Sequence, residues 1–212
     1  MVMNRLRHWK IDWESEFKEH KRLIVLSLIF LAGALILNSV LGNYADRVGT
    51  AAASDLILDH VGPFDLTYLF VYGYGLVILL LFIYPLLFRV REFHVVISQF
   101  SLLVLLRSFF ISLTHLKVPA DAISVSFAHL SNLLIFRNDL FFSAHTAIPF
   151  LGFLLFRKNK IAGTFFLIMT FVLAATVLLM HVHYSIDVFA ALFITYGSYK
   201  FGEWLFRRIN HY

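Results

Sequence analysis

Apolar runs long enough to cross a bilayer set the limits on what this chain can become. A helix needs about 20 apolar residues to cross the hydrocarbon core, and there each backbone N–H and C=O must be paired within the protein. Six stretches meet or approach that length: residues 23–42, 67–88, 94–115, 140–156, 161–180 and 184–206. The first two contain no Asp, Glu, Lys or Arg. The third is interrupted by Arg107, and the fourth is short. The sixth starts in a histidine-rich stretch and ends among Lys200, Glu203, Arg207 and Arg208, whose long side chains can snorkel to the lipid surface. The expected fold class is all-α, a polytopic membrane protein of six transmembrane helices.

Composition agrees with this reading. Hydrophobic residues make up 60% of the 212 and charged residues 15%, where a soluble domain carries about 25% charged residues. There is no Cys, which excludes disulfides, thiolate catalysis and Cys-ligated metals. The net charge of +5 does not point to nucleic acid, because the basic residues flank the apolar runs as they do in membrane proteins.

The Lys and Arg residues also set the orientation. Arg5, Arg7, Lys10, Lys18, Lys21 and Arg22 precede the first span, Arg89 and Arg91 follow the second, Arg157, Lys158 and Lys160 follow the fourth, and Lys200, Arg207 and Arg208 close the chain. Fourteen of the eighteen basic residues thus fall on one side. Both termini are expected in the cytoplasm, and the stretch "HVHYSID", residues 181–187, at the extracytoplasmic face.

No cleavable signal is expected, because the polar lead is long and the first apolar run lacks a small-residue cleavage site. Leu6, Trp9, Trp13 and Phe17 share one helical stripe, which fits a helix lying on the membrane, with a solvated charged tail as the alternative. The expected organisation is an amphipathic segment over residues 1–22, a six-helix catalytic domain over 23–206 and a short cytoplasmic tail over 207–212. After Pro119, the helical spacing of Ile123, Phe127, Leu130 and Leu134 predicts a short helix in the outer interface.

Ionisable groups inside spans cost around 2.5–3.5 kcal/mol at mid-bilayer and are functional candidates by default. Four stand out: Arg107, His145, His183 and Asp187. With the 1.5 Å helical rise, Arg107 is expected roughly 12 Å below the outer end of its span, and His145 and Asp187 roughly 9 Å below theirs. Three helices would then place polar groups in one layer. His183 and Asp187 are four residues apart and share a helix face. The carboxylate can fix the tautomer of the imidazole and leave its other nitrogen free as a nucleophile or base. His181 and His183 face nearly opposite sides of a helix, so a metal held by both would need non-helical backbone. That metal site, and histidines that only hydrogen-bond between helices, are the alternatives to a catalytic reading.

The second polar stretch is "NDLFFSAHTAIPF", residues 138–150. Ser143 and His145 open a helix from the outside, where free N–H groups and the dipole favour phosphate. Arg107 adds a planar fork suited to phosphate oxygens. Together these residues describe phosphoryl transfer that needs neither a metal nor another cofactor. His183 attacks phosphorus, His145 protonates the leaving oxygen, and Asp187 steadies the imidazolium. A site at headgroup depth takes lipid phosphoesters.

"FFSAHTA" and "HVHYSIDV" resemble the S-G-H-T and H-Y-T-x-D motifs of sphingomyelin synthases and their ceramide phosphoethanolamine synthase relatives, within the type 2 phosphatidic acid phosphatase superfamily. Asp139, Phe142, Ser143, His145 and Thr146 match the synthase form of the first motif. "LRSFFISLTHLKVP", residues 106–119, is similar to a third family segment, with Arg107 and Thr114 in place, and "DRV" and "DLILD" look like the family's first outer loop. The resemblance runs from about residue 40 to 205. It implies a phosphohistidine intermediate and transfer of phosphocholine or phosphoethanolamine from a glycerophospholipid to ceramide or diacylglycerol. His183 and Asp187 would be the nucleophile pair, His145 the acid, and Arg107, Asp139 and Ser143 would bind substrate.

Ala144 replaces the motif glycine and Ser185 the motif threonine. The superfamily's K-x-x-x-x-x-x-R-P motif is absent, and Val177 stands where an arginine precedes the second histidine. The last two departures favour the synthase branch. A lipid phosphatase or phospholipase C-type hydrolase using the same residues is the alternative, and a non-catalytic lipid-binding protein is the third. The minimal tails lead to the expectation of a bare catalytic core in a bacterial inner membrane, with the Golgi or endoplasmic reticulum as the alternative.

Overall fold

The computed structural model describes residues 2–125, 136 and 138–209, with side chains from Ile11 onward except at residue 12 and residues 207–209. The architecture is all-α. Six α-helices form among the described residues: α1 Val2–Val48, α2 Tyr74–Phe88, α3 Phe93–Ser112, α4 Ala144–Phe156, α5 Lys160–Leu179 and α6 Ser185–Ile209. A π-helical turn, Leu69–Gly73, leads into α2. Among the described residues, four helical segments are long and apolar enough to cross a membrane: Trp13–Val48, Leu69–Phe88, Val90–Ser112 and Lys160–Leu179. They mark an integral multi-pass membrane protein. Their outward faces carry large apolar side chains such as Ile36, Phe171 and Ile161, a belt that a soluble protein would not leave bare. α4 is apolar but has 13 residues, about 20 Å at the helical rise.

The helix ends depart from the sequence expectation in physically readable ways. The first apolar run continues to Val48 and joins the N-terminal segment in one helix, kinked at His20 (φ −121°, ψ 18°). Of the expected interfacial stripe, Trp13 donates its indole N–H to the Leu86 carbonyl (3.2 Å) and meets Phe93 edge-on, while Phe17 is exposed. α3 stops at Ser112, so Thr114 and His115 lie beyond it. α4 starts at Ala144 rather than near residue 140, because Phe141 takes φ 78° and Ser143 is extended. His145 is therefore the second residue of its helix, nearer the helix end than a run starting at Asp139 implies. Of the expected loop helix, Ile123 is bonded through its N–H to the Met180 carbonyl (2.9 Å). Phe127, Leu130 and Leu134 lie outside the described residues.

α3 is the axis of the bundle. α1 runs along it, α6 closes against α3 and α4, and α5 packs on α4. Val96, Ile97, Leu103 and Ile111 of α3 join Leu151, Phe166 and Leu173 in the core. Gly202 lets α6 meet Gln99, whose Oε1 would lie 2.4 Å from a Cβ there. The basic turns gather at one end, where the Arg157 guanidinium lies 5.8 Å from the Tyr199 ring centroid. At the same end, the buried Glu16 carboxylate pairs with both His20 (3.1 Å) and His94 (3.0 Å). The acidic loops meet the two histidine motifs at the other end.

Candidate functional site

Asp187 is the hub of that second end. It lies in the first turn of α6 and is fully buried. Its Oδ2 accepts hydrogen bonds from His183 Nδ1 (3.0 Å) and from the Tyr184 N–H (3.0 Å). Its Oδ1 accepts from the Phe141 N–H (2.8 Å), and its carbonyl accepts from the Ser143 N–H (3.3 Å). The expected pair on one helix face is thus present, and the same carboxylate also holds the stretch that starts α4. With Nδ1 committed to Asp187, His183 keeps Nε2 for chemistry.

α6 receives its first turn from a distant loop. Asp55 Oδ2 accepts from the Ser185 N–H (2.7 Å) and hydroxyl (2.8 Å), while Oδ1 accepts from the N–H groups of Ile57 (2.9 Å) and Leu58 (3.2 Å). This carboxylate supplies from another segment what an N-cap side chain supplies locally. Burial opposes its charge, but the four hydrogen bonds outweigh burial and hold its carboxyl below the usual carboxylate range. Tyr184 binds the neighbouring loops: its hydroxyl donates to the Lys117 carbonyl (2.9 Å) and accepts from the Ala53 N–H (3.0 Å).

The α4 side is anchored in parallel. The Asn138 N–H donates to Asp46 Oδ1 (2.6 Å) at the end of α1. Arg107 pairs with Asp139 and donates from Nη1 to Asn38 Oδ1 (3.1 Å). The fork expected for phosphate is therefore partly engaged by protein groups, while Arg107 Nε is buried without a partner. The hydroxyls of Ser143 and Thr146, flanking His145 at the start of α4, are also buried and unpaired. Such groups are rare in folded proteins and call for an explanation. The two hydroxyls at the α4 N-terminus suit a phosphoryl oxygen. His145 lies within electrostatic reach of both His183 and Arg107.

The six residues singled out from sequence thus belong to one connected region: His183, Asp187 and Ser143 through direct bonds, Arg107 and Asp139 as a pair, and His145 by proximity. His181 goes elsewhere. It takes φ 55° and places Nδ1 2.9 Å from Asp121 Oδ2, so the two histidines of "HVH" face different carboxylates. No group of three or more His, Asp or Glu suited to a metal occurs among the described residues. Sequence reading missed Asp55 and Asn38. Asp55 was visible only as the first residue of "DLILD", with no role assigned, and Asn38 as a polar residue inside the first span.

Residues 138–204 match the family model described as PAP2 superfamily C-terminal. The match takes in both histidine stretches and the helices that carry them. The superfamily's members are phosphatases and phosphotransferases. No curated protein and no solved structure matches the chain.

Proposed function

We propose that the protein is a phospholipid headgroup transferase, moving phosphocholine or phosphoethanolamine from a glycerophospholipid to ceramide or diacylglycerol through a phosphohistidine. The observation that carries this reading is the Asp187 hub, which commits His183 Nδ1 and fixes the same carboxylate to the start of α4. His183 Nε2 attacks the phosphorus. The P–O bond to the diacylglycerol breaks, and His145 gives its proton to the leaving oxygen. The acceptor hydroxyl then loses its proton to His145 and attacks the phosphohistidine, and the P–N bond breaks. Asp187 stabilises the positive imidazole in both halves. Arg107, Ser143 and the α4 N-terminus hold the phosphoryl oxygens, and Asp139 orients Arg107.

In this reading all six helices cross the membrane, both termini are cytoplasmic and the site lies at the outer face. The gathering of the basic turns at one end and the motifs at the other supports that topology. Purified protein in vesicles, supplied with headgroup-labelled phosphatidylcholine or phosphatidylethanolamine and either ceramide or diacylglycerol, provides the test. Label on the acceptor lipid is the expected result. Water-soluble phosphocholine or phosphoethanolamine, independent of acceptor, would replace transfer with hydrolysis.

A further inference from the structure

His145 is held in an aromatic slot. The Phe70 ring stacks on it at a centroid separation of 3.9 Å and an interplanar angle of 20°, and the Tyr74 ring at 4.0 Å and 26°. The two aromatics sit four residues apart where the π-helical turn passes into α2. π-helical turns replace i→i+4 with i→i+5 bonds and occur often at functional sites. The backbone of Phe70, within that turn, lies close to the His145 ring. Gly73 completes the turn on its other side, where a Cβ would lie 3.4 Å from Leu173 and 3.6 Å from Met169 of α5. Tyr74 in turn lies within electrostatic reach of Arg107 and Asp139.

We infer that Phe70 and Tyr74 are positioning residues for His145, and that the π-helical turn exists to set its ring plane and tautomer. Stacking on both faces blocks rotation of the imidazole and keeps water off its faces, so a proton enters and leaves only at the ring edge. A ring N–H directed at the nearby Phe70 carbonyl commits one nitrogen as donor in this arrangement, which leaves the other to exchange a proton with the leaving oxygen. Neither aromatic touches the reacting atoms in this account. The inference rests on the acid role proposed for His145.

The test compares Phe70→Leu, Tyr74→Leu and Tyr74→Phe on two donors, a phospholipid and p-nitrophenyl phosphocholine, whose leaving group needs no proton. Each Leu variant should lose roughly 10–100-fold in kcat on the phospholipid, with KM little changed, and far less on the nitrophenyl donor. Tyr74→Phe should recover most of the loss. In a His145→Ala background the Leu substitutions should add nothing. Equal losses on both donors, or losses that add to that of His145→Ala, would reduce the slot to structural packing. A readout independent of turnover is the nitrogen NMR of the His145 ring in histidine-labelled protein. One tautomer should hold in wild type and Tyr74→Phe, and mixed tautomers should appear in the Leu variants. A single tautomer in both Leu variants would overturn the inference. Absence of headgroup release by wild type would instead count against the transferase reading and leave the NMR result standing.

Discussion

The Phe141 N–H donates to Asp187 Oδ1 at 2.8 Å across 46 residues of chain. Phe141 reaches this position with φ 78°, a conformation that costs a non-glycine residue about 1–2 kcal/mol. The left-handed turn aims its N–H at the carboxylate that orients His183.

That bond makes Asp187→Asn more disruptive than its near-identical shape implies. The native carboxylate accepts from Phe141 on one oxygen and from His183 and Tyr184 on the other. An amide has a single acceptor oxygen, so one set of donors must face its NH2 group. We expect a folded variant about 1–3 kcal/mol less stable, with kcat lowered by about three to four orders of magnitude. Thermal unfolding in detergent and transfer assays check the two halves separately.

Asp55 gives the stability a pH dependence of known sign. Its carboxyl is held below the usual range in the folded state, so its contribution is complete above about pH 4 and is lost as pH falls through the folded value. Asp55→Ala should lower Tm at neutral pH by the equivalent of about 1 kcal/mol, as loss of a helix cap does, and the gap between variant and wild type should close on acidification. Melting curves at pH 7 and pH 3 measure it. A constant gap would contradict the assignment.

On the proposed mechanism, the two histidines should fail differently. His183→Ala should abolish the covalent intermediate, and rapid quench after mixing with phosphate-labelled phospholipid should recover no label on the protein. His145→Ala should still form it, most readily with donors whose leaving group needs no proton. Phosphohistidine persisting in His183→Ala would overturn the assignment.

Topology can be read with single cysteines, since the chain has none of its own. A cysteine at Lys158 should resist an impermeant thiol reagent in intact cells and react after permeabilisation. One at the half-exposed Asp121 should react from outside.

The helices and the His183–Asp187 pair were legible because both write local patterns. Apolar runs mark the spans, and the four-residue spacing of His183 and Asp187 marks their shared face. Asp55 wrote no such pattern. Its bond to Ser185 joins positions 130 residues apart, and nothing near either residue signals the other. The start of α4 was misplaced for a related reason. Apolar Leu140, Phe141 and Phe142 read as helix by composition, yet Phe141 turns left-handed to reach Asp187, a long-range bond that overrides local preference. The slot around His145 was hidden because Phe70 and Tyr74 look like ordinary lipid-facing aromatics until the fold brings α4 beside them.

The kink at His20 divides α1 into two struts of unequal task. Residues 21–48 rise about 42 Å, close to the full bilayer with its headgroup layers, about 40–45 Å. Asp46 at the top of that strut holds Asn138, and Asn138 begins the stretch that carries Ser143 and His145. The height of the candidate site along the bundle is thereby tied to the length of one helix. On the proposed function, lipid acyl chain length, by changing the thickness that this strut must match, would set how deeply the site sits among the headgroups.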